Sequence, residues 1–150
     1  MTKHNIASWI RAEHDKVIDL SNVLRQMVAY APRENLAAWI NETRGCFDHF
    51  RAHLIRHMAL EEEDGFFSRL TEQRPTLAPE IDRLRHEHVE MTRIMRGIHQ
   101  TLEELTPEDR LLVRDCCARI NGLLSYVDHH EDLEDSLVTF IFTQDIGTKD

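Results

Sequence analysis

Residues 120–137 read INGLLSYVDHHEDLEDSL. Positions 120, 123, 127, 130, 134 and 137 are separated by alternating steps of three and four, the spacing of one α-helix face. Ile120, Leu123, Val127 and Leu137 make that face apolar, and His130 and Glu134 interrupt it, one helical turn apart on the same side. A helix with ionisable groups set into its buried stripe predicts both the element and what its core must accommodate. An unpartnered buried carboxylate costs several kcal/mol or shifts its pKa until it is neutral.

The phrase His-x-x-x-Glu also occurs at His57 and Glu61, and each copy follows a lone histidine preceded by Glu. Glu13-His14 lies 43 residues before His57, and Glu87-His88 lies 42 residues before His130. The offsets between copies are 74 (His14 to His88) and 73 (His57 to His130), so the second half of the chain nearly repeats the first. Together the copies supply four imidazoles and two carboxylates, a set suited to a pair of transition-metal ions.

The other candidates sit on similar stripes. His14 falls between Ile10 and Val17, and His57 and Glu61 continue the line from Phe50 and Leu54. His88 stands among Ile81, Leu84, Met91 and Met95. Six ionisable groups are thus expected to face inward at one level, where bound metal would compensate them. If Glu61 and Glu134 bridge two ions and the histidines divide between them, a position on each ion stays open for O2, peroxide, nitric oxide or water.

Breakers at Pro32, at 74–79 and at Thr106-Pro107 cut the chain into four helical segments, roughly 5–30, 33–72, 79–104 and 107–143. Thr106 is placed to cap the last, with Pro107 in its first turn. Short connections predict an all-α, up-down-up-down four-helix bundle spanning 1–150 as a single domain. Residues 147–150 are expected to fray.

Composition narrows the function classes. A formal net charge of −9 argues against nucleic acid, whose phosphates need clustered cations. No apolar run approaches the roughly 18–20 residues of a membrane span. The first residues lack the apolar core of a secretory signal. Cys46, Cys116 and Cys117 form neither a metal knuckle nor a disulfide framework, which suits reduced thiols in the cytoplasm.

In order, His14, His57 to Glu61, His88, and His130 to Glu134 resemble the pattern of the hemerythrin-like family, the HHE cation-binding domain. The resemblance covers nearly the whole chain. It implies a non-haem di-iron centre, two oxo- or hydroxo-bridged Fe ions with Glu61 and Glu134 bridging. Two departures matter. Oxygen-carrying members have a His-x-x-x-His pair on the third helix, whereas Thr92 follows His88 by four and Leu84 precedes it by four. Their fourth helix has His-x-x-x-x-Asp, whereas His130-x-x-x-Glu134 stands here. The imidazole-poor set points away from stable O2 carriage and toward relatives linked to iron sensing, peroxide removal or nitric oxide response. The expected function is binding or reducing a small oxidant at an open iron position. The alternatives are an iron- or oxygen-sensing module and an O2 carrier. No side chain stands out as a general acid or base, so catalase-like, other di-iron oxidoreductase and non-enzymatic roles all stay open. The expected partners are a small diatomic or peroxide ligand and a redox or regulatory protein.

Further residues carry weaker expectations. His53, one turn before His57, is read as packed near the site, with a fifth ligand as the alternative. Tyr126, one turn before His130, is a candidate to hydrogen-bond beside the site or to ligate. Glu62 or Glu131 could enter the outer shell or rim an iron path. Glu13 and Glu87 are read as orienting neighbours or lying on the surface, and Met91 and Met95 as core filling. His86 and His129 point away from the stripe, His4, His49 and His99 are surface or boundary residues, and Glu62, Glu63 and Asp64 form a solvated face.

Overall fold

A computed structural model describes the backbone of residues 3–63 and 65–147 and the side chains of 6–63 and 65–141. The expectations for His4, Asp64 and the terminal residues 148–150 therefore lie outside the described residues. Every described element is helical: α1 (Lys3–Ala29), α2 (Leu36–Glu63), α3 (Phe66–Gln73), a 3-10 turn (Pro75–Leu77), α4 (Ala78–Glu104) and α5 (Arg110–Gly147). Among the long helices, α1 packs against α2 and α5, and α4 packs against the same two.

The expected helix over 33–72 is broken in two. α2 stops at Glu63 and α3 starts at Phe66, with Gly65 at φ 85 between them. The acids from Glu61 to Glu63 lie against the negative end of the helix dipole, which opposes continuation, and glycine enters the left-handed region at no steric cost. The break turns Phe66, Phe67 and Leu70 back into the core. α2 also starts later than expected. Asn35 takes a positive φ of 56, a conformation asparagine tolerates, and its carbonyl accepts the Trp39 amide at 3.1 Å. The Trp39 indole donates to the Met27 carbonyl at 3.1 Å, tying this start to the end of α1.

The last helix starts at Arg110 instead of 107, and its cap is Asp109, not Thr106. The Asp109 carboxylate accepts the Leu112 amide at 3.0 Å, while Pro107 and Glu108 lie in a turn. Aspartate caps at least as well as threonine and adds charge at the positive helix end. Arg44 of α2 donates to the carbonyls of Leu102 and Leu105 at the end of α4, with the Leu105 bond at 3.1 Å.

The buried residues form two apolar clusters. The larger includes Val17, Leu24, Phe47, Phe50, Leu54, Met91, Met95, Ile120 and Val127. The smaller joins Ile6 and Ile10 of α1, Phe66, Phe67 and Leu70 of α3, Ile81 and Leu84 of α4, and Leu137, Val138 and Ile141 of α5. On α1, α4 and α5 the polar candidates fall between residues of the two clusters, and on α2 His57 and Glu61 follow Leu54 of the larger cluster and precede the α3 residues of the smaller one. His14 comes after Ile10 and before Val17, and Glu134 comes after Val127 and before Leu137. The core is thus interrupted by one polar layer.

Candidate metal centre

That layer contains all six candidates: His14, His57, Glu61, His88, His130 and Glu134, each at most 3% exposed. They form two overlapping groups, His14, His57, Glu61 and Glu134, and Glu61, His88, His130 and Glu134. Within each group the ligand-type atoms lie within 4.8 Å of one another. Both glutamates belong to both groups, and each group adds two histidines of its own. Glu61 Oε1 lies 3.2 Å from His57 Nε2 and 3.1 Å from His88 Nε2, and Glu134 Oε1 lies 2.7 Å from His130 Nε2. Helical spacing explains the two i, i+4 pairs. The contact from Glu61 to His88 depends on α2 packing against α4.

Outside this set the chain supplies a second ring of carboxylates. The Nδ1 atom of each histidine faces an acid from a neighbouring helix. His57 meets Glu13 of α1 at 3.6 Å, and His88 meets Glu62 of α2 at 3.5 Å. His130 meets Glu87 of α4 at 2.8 Å, and His14 meets Asp135 of α5 at 2.9 Å. The order is cyclic: each long helix supports a histidine on the next, and α5 returns to α1. Each supporting acid is adjacent in sequence to a candidate ligand on its own helix. Only the pairs at 2.8 and 2.9 Å are hydrogen bonds; the other two are longer approaches. Carboxylates behind metal-binding histidines fix ring orientation and tautomer and raise ligand basicity.

Electrostatics favour neutral imidazoles. Burial pushes His57 down to about 2, with His14 and the other histidines adding to the shift. Burial likewise holds His88 and His130 at about 3, each with a neighbouring histidine contributing. Neutral imidazole is the coordinating form. Burial drives Glu134 well above the ordinary carboxyl range, with Asp135 adding to it. Both oxygens of Glu61 and of Glu134, and Nε2 of all four histidines, are buried without a hydrogen-bond partner. Buried polar atoms are rarely left this way. Convergent imidazole nitrogens and carboxylate oxygens with no protein partner fit a pair of divalent or trivalent transition-metal cations.

The remaining candidates fall outside the two groups. His53 approaches Glu13 at 3.7 Å, and burial lowers its pKa. Tyr126 is half-buried beside Glu87 and Glu90, whose charges add to the upward push that burial gives its phenol. Met91 and Met95 are fully buried in the larger apolar cluster. Exposed His86 places Nδ1 2.8 Å from the Asp82 carbonyl, and His49, His129, Glu62 and Glu63 are exposed. Glu131 is buried, with one carboxyl oxygen unpartnered; burial raises it to about 9, helped by Asp135, Asp128 and Asp132.

Sequence reasoning passed over Asp135, although it follows Glu134 as Glu62 follows Glu61. It also passed over Trp9, which stacks on His57 with centroids 6.0 Å apart, and Phe67, 5.2 Å from the His88 ring. His99 is half-buried and groups with Asp48 and Glu103 on the outer side of α2 and α4, away from the polar layer.

The model of the hemerythrin HHE cation binding domain matches residues 5–139. The chain belongs to that family. It is a member of a helical, cation-binding class whose name reflects the residue types gathered in the polar layer. Neither the curated proteins nor the solved structures gave a match.

Proposed function

We propose that the protein is a non-haem di-iron protein that binds or reduces a small oxidant, such as O2, a peroxide or nitric oxide. The observation that carries this reading is the sharing of Glu61 and Glu134 by two groups that each add two histidines. Two cations held between the shared carboxylates would satisfy the orphaned Nε2 atoms of the four histidines and the orphaned oxygens of Glu61 and Glu134. His14 and His57 would hold one iron, and His88 and His130 the other. Bound there, the irons would supply the electrons and the Lewis acidity that oxidant chemistry needs. The protein's own part is positional. The outer carboxylates orient the imidazoles, the two apolar clusters exclude bulk water, and burial keeps His57, His88 and His130 unprotonated.

The reading includes an up-down-up-down course for α1, α2, α4 and α5, in keeping with their short connections and cyclic packing. It also includes a reducing compartment such as the cytoplasm, in keeping with three unpaired cysteines. A redox or regulatory protein partner would complete the cycle. Metal analysis and an optical spectrum of protein produced with iron test the proposal. Two irons per chain with a charge-transfer band are expected. Two colourless ions, or one ion per chain, would overturn it.

An iron-sensing role is favoured by a different observation. The layer leaves Glu134 buried and unpartnered without a cation, which couples metal occupancy to stability. Consumption of added peroxide with turnover would decide for the oxidant-reducing reading. A metal-dependent fold with no turnover would decide for the sensor.

A further inference from the structure

Outside the polar layer, another set of metal-ligating side chains converges. Asp48 of α2 and His99 and Glu103 of α4 bring their ligand-type atoms within 4.8 Å of one another. His99 and Glu103 stand four residues apart, the His-x-x-x-Glu spacing used twice in the polar layer, so both reach out from one helix face. The third donor comes from α2, the helix that also brings Glu61 to His88. His99 is half-buried and the two acids are exposed. The group lies nine residues before His57 on α2 and eleven after His88 on α4. By helical rise that is about 14–16 Å from the layer.

The same spacing at His86 and Glu90 gives a contrast. There Arg93 donates to the Glu90 carboxylate, His86 turns Nδ1 to the Asp82 carbonyl at 2.8 Å, and among the described residues no metal-type group forms. Around Asp48 the nearby cations are engaged elsewhere. Arg44, one turn away on α2, donates to Asn41 and to the carbonyls of Leu102, Glu103 and Leu105. Arg119 donates to the Thr101 hydroxyl at 2.8 Å. Arg51 and Arg96, one turn nearer the polar layer, pair with neither acid. Among the described residues Asp48 pairs with His99 alone, and the Glu103 carboxylate with no cation. His99 Nδ1 lies 3.2 Å from Asp48 Oδ1, a hydrogen bond when no ion intervenes. Two donors about 2.0 Å from a tetrahedral ion stand about 3.3 Å apart, so this pair is already at ligand spacing.

We propose that Asp48, His99 and Glu103 form a second metal site, which takes one divalent cation of the zinc class and clamps α2 to α4. One imidazole and two carboxylates suit such an ion, with water completing its coordination. Donors from two helices make the ion a cross-link that only the folded chain can bind in full. The clamp acts on the same two helices whose packing sets the contact of Glu61 with His88. The inference stands whether or not the polar layer holds iron.

Zinc titrated calorimetrically into protein produced with iron, in a buffer that does not bind zinc, tests it. Wild type should bind one zinc per chain that His99→Gln and Glu103→Gln each lose, with equal iron content in all three. His49→Gln and His86→Gln, which alter exposed histidines outside the group, should keep that ion. Zinc should also raise the melting temperature of wild type and leave that of His99→Gln where it is. Should His99→Gln fail to fold, Asp48→Asn, which alters an exposed side chain, gives the same reading. Equal zinc uptake by wild type and the folded site variants would overturn the site. Loss of the ion in His49→Gln would overturn it too, by showing a surface histidine as the ligand. A chain that takes up no iron, yet loses one zinc in His99→Gln, would overturn the di-iron reading alone.

Discussion

The hydrogen bonds from His14 to Asp135 and from His130 to Glu87 fix which ring nitrogen is left for a cation. When Nδ1–H donates to a carboxylate, the Nε2 lone pair is the one that faces the layer. Glu87→Gln and Asp135→Asn should keep two metals per chain at saturation but weaken binding by about 10–100-fold, as measured by competition with a chelator. Glu13→Gln should weaken it less, because its 3.6 Å approach to His57 is not a hydrogen bond. An unaltered chelator midpoint for Glu87→Gln would remove the orienting role. The six inner residues were legible because they interrupt apolar stripes at helical spacing and occur twice. Their outer partners were less so. That Glu87 and Glu13 lie beside a histidine is written in the sequence, but whose histidine they support depends on the rotation of one helix against the next. Asp135 was hidden by a change of residue type, aspartate where the first copy has glutamate.

At the scale of elements, the joint between α2 and α3 shows what periodicity misses. The apolar pattern continues through Leu60 to Phe67, so spacing alone predicts one helix. The punctuation lies in the acids followed by Gly65, a short signal that the longer periodicity masks. Gly65→Ala would place Cβ in open space, with nothing within 4 Å, so its cost is one of backbone conformation. It should destabilise the fold by about 1 kcal/mol in denaturant titration without altering metal stoichiometry. No change in midpoint would show that the joint relaxes freely. The start of α5 teaches the same lesson at smaller range. Thr106-Pro107 has the residue types of a helix start, but Asp109 offers a better cap three residues later, and only the hydrogen bond to Leu112 separates the two.

For the whole molecule, the polar layer makes stability a function of pH and of metal. In metal-free protein His57, His88 and His130 stay neutral down to about 2 to 3, whereas in the unfolded chain they protonate near 6.5. Below 6.5 the unfolded state binds more protons, so stability falls on acidification. Glu131 and Glu134 act in the other direction. Their folded pKa values are raised, Glu131 to about 9, so above 4.5 the folded state holds protons that the unfolded state has released. Their contribution is complete below 4.5 and is lost as the pH rises through the raised values. Between 4.5 and 6.5 three imidazoles outweigh two carboxyls, and above 6.5 only the carboxyls act. Metal-free protein should therefore melt highest near pH 6.5 and lower on either side, and bound metal should raise the melting temperature most on the alkaline side. A melting temperature that climbs from pH 7 to 9 without metal would contradict this. The helical class and the level of the polar layer could be read from spacing. The cyclic support of each histidine by the next helix could not, because it exists only once four helices are packed.

Dividing the core in two also gives the fold a weak seam. The smaller cluster gathers Ile6 and Ile10 of α1, Phe66, Phe67 and Leu70 of α3, Ile81 and Leu84 of α4, and Leu137, Val138 and Ile141 of α5, and its stretches of α1 and α5 are their outermost described packing. With metal tying the four helices together, this compartment should open only with the rest. Without metal it should become a separate cooperative unit that detaches while the larger cluster stays closed. Amide hydrogen exchange should then show α3 and residues 6–10 and 137–141 losing protection first on chelation, with residues 91–102 and 113–127 exchanging late. Uniform loss of protection along the chain would mean that the seam does not part. Metal loss would thus be read out as a local loosening at one end of the molecule, well short of unfolding.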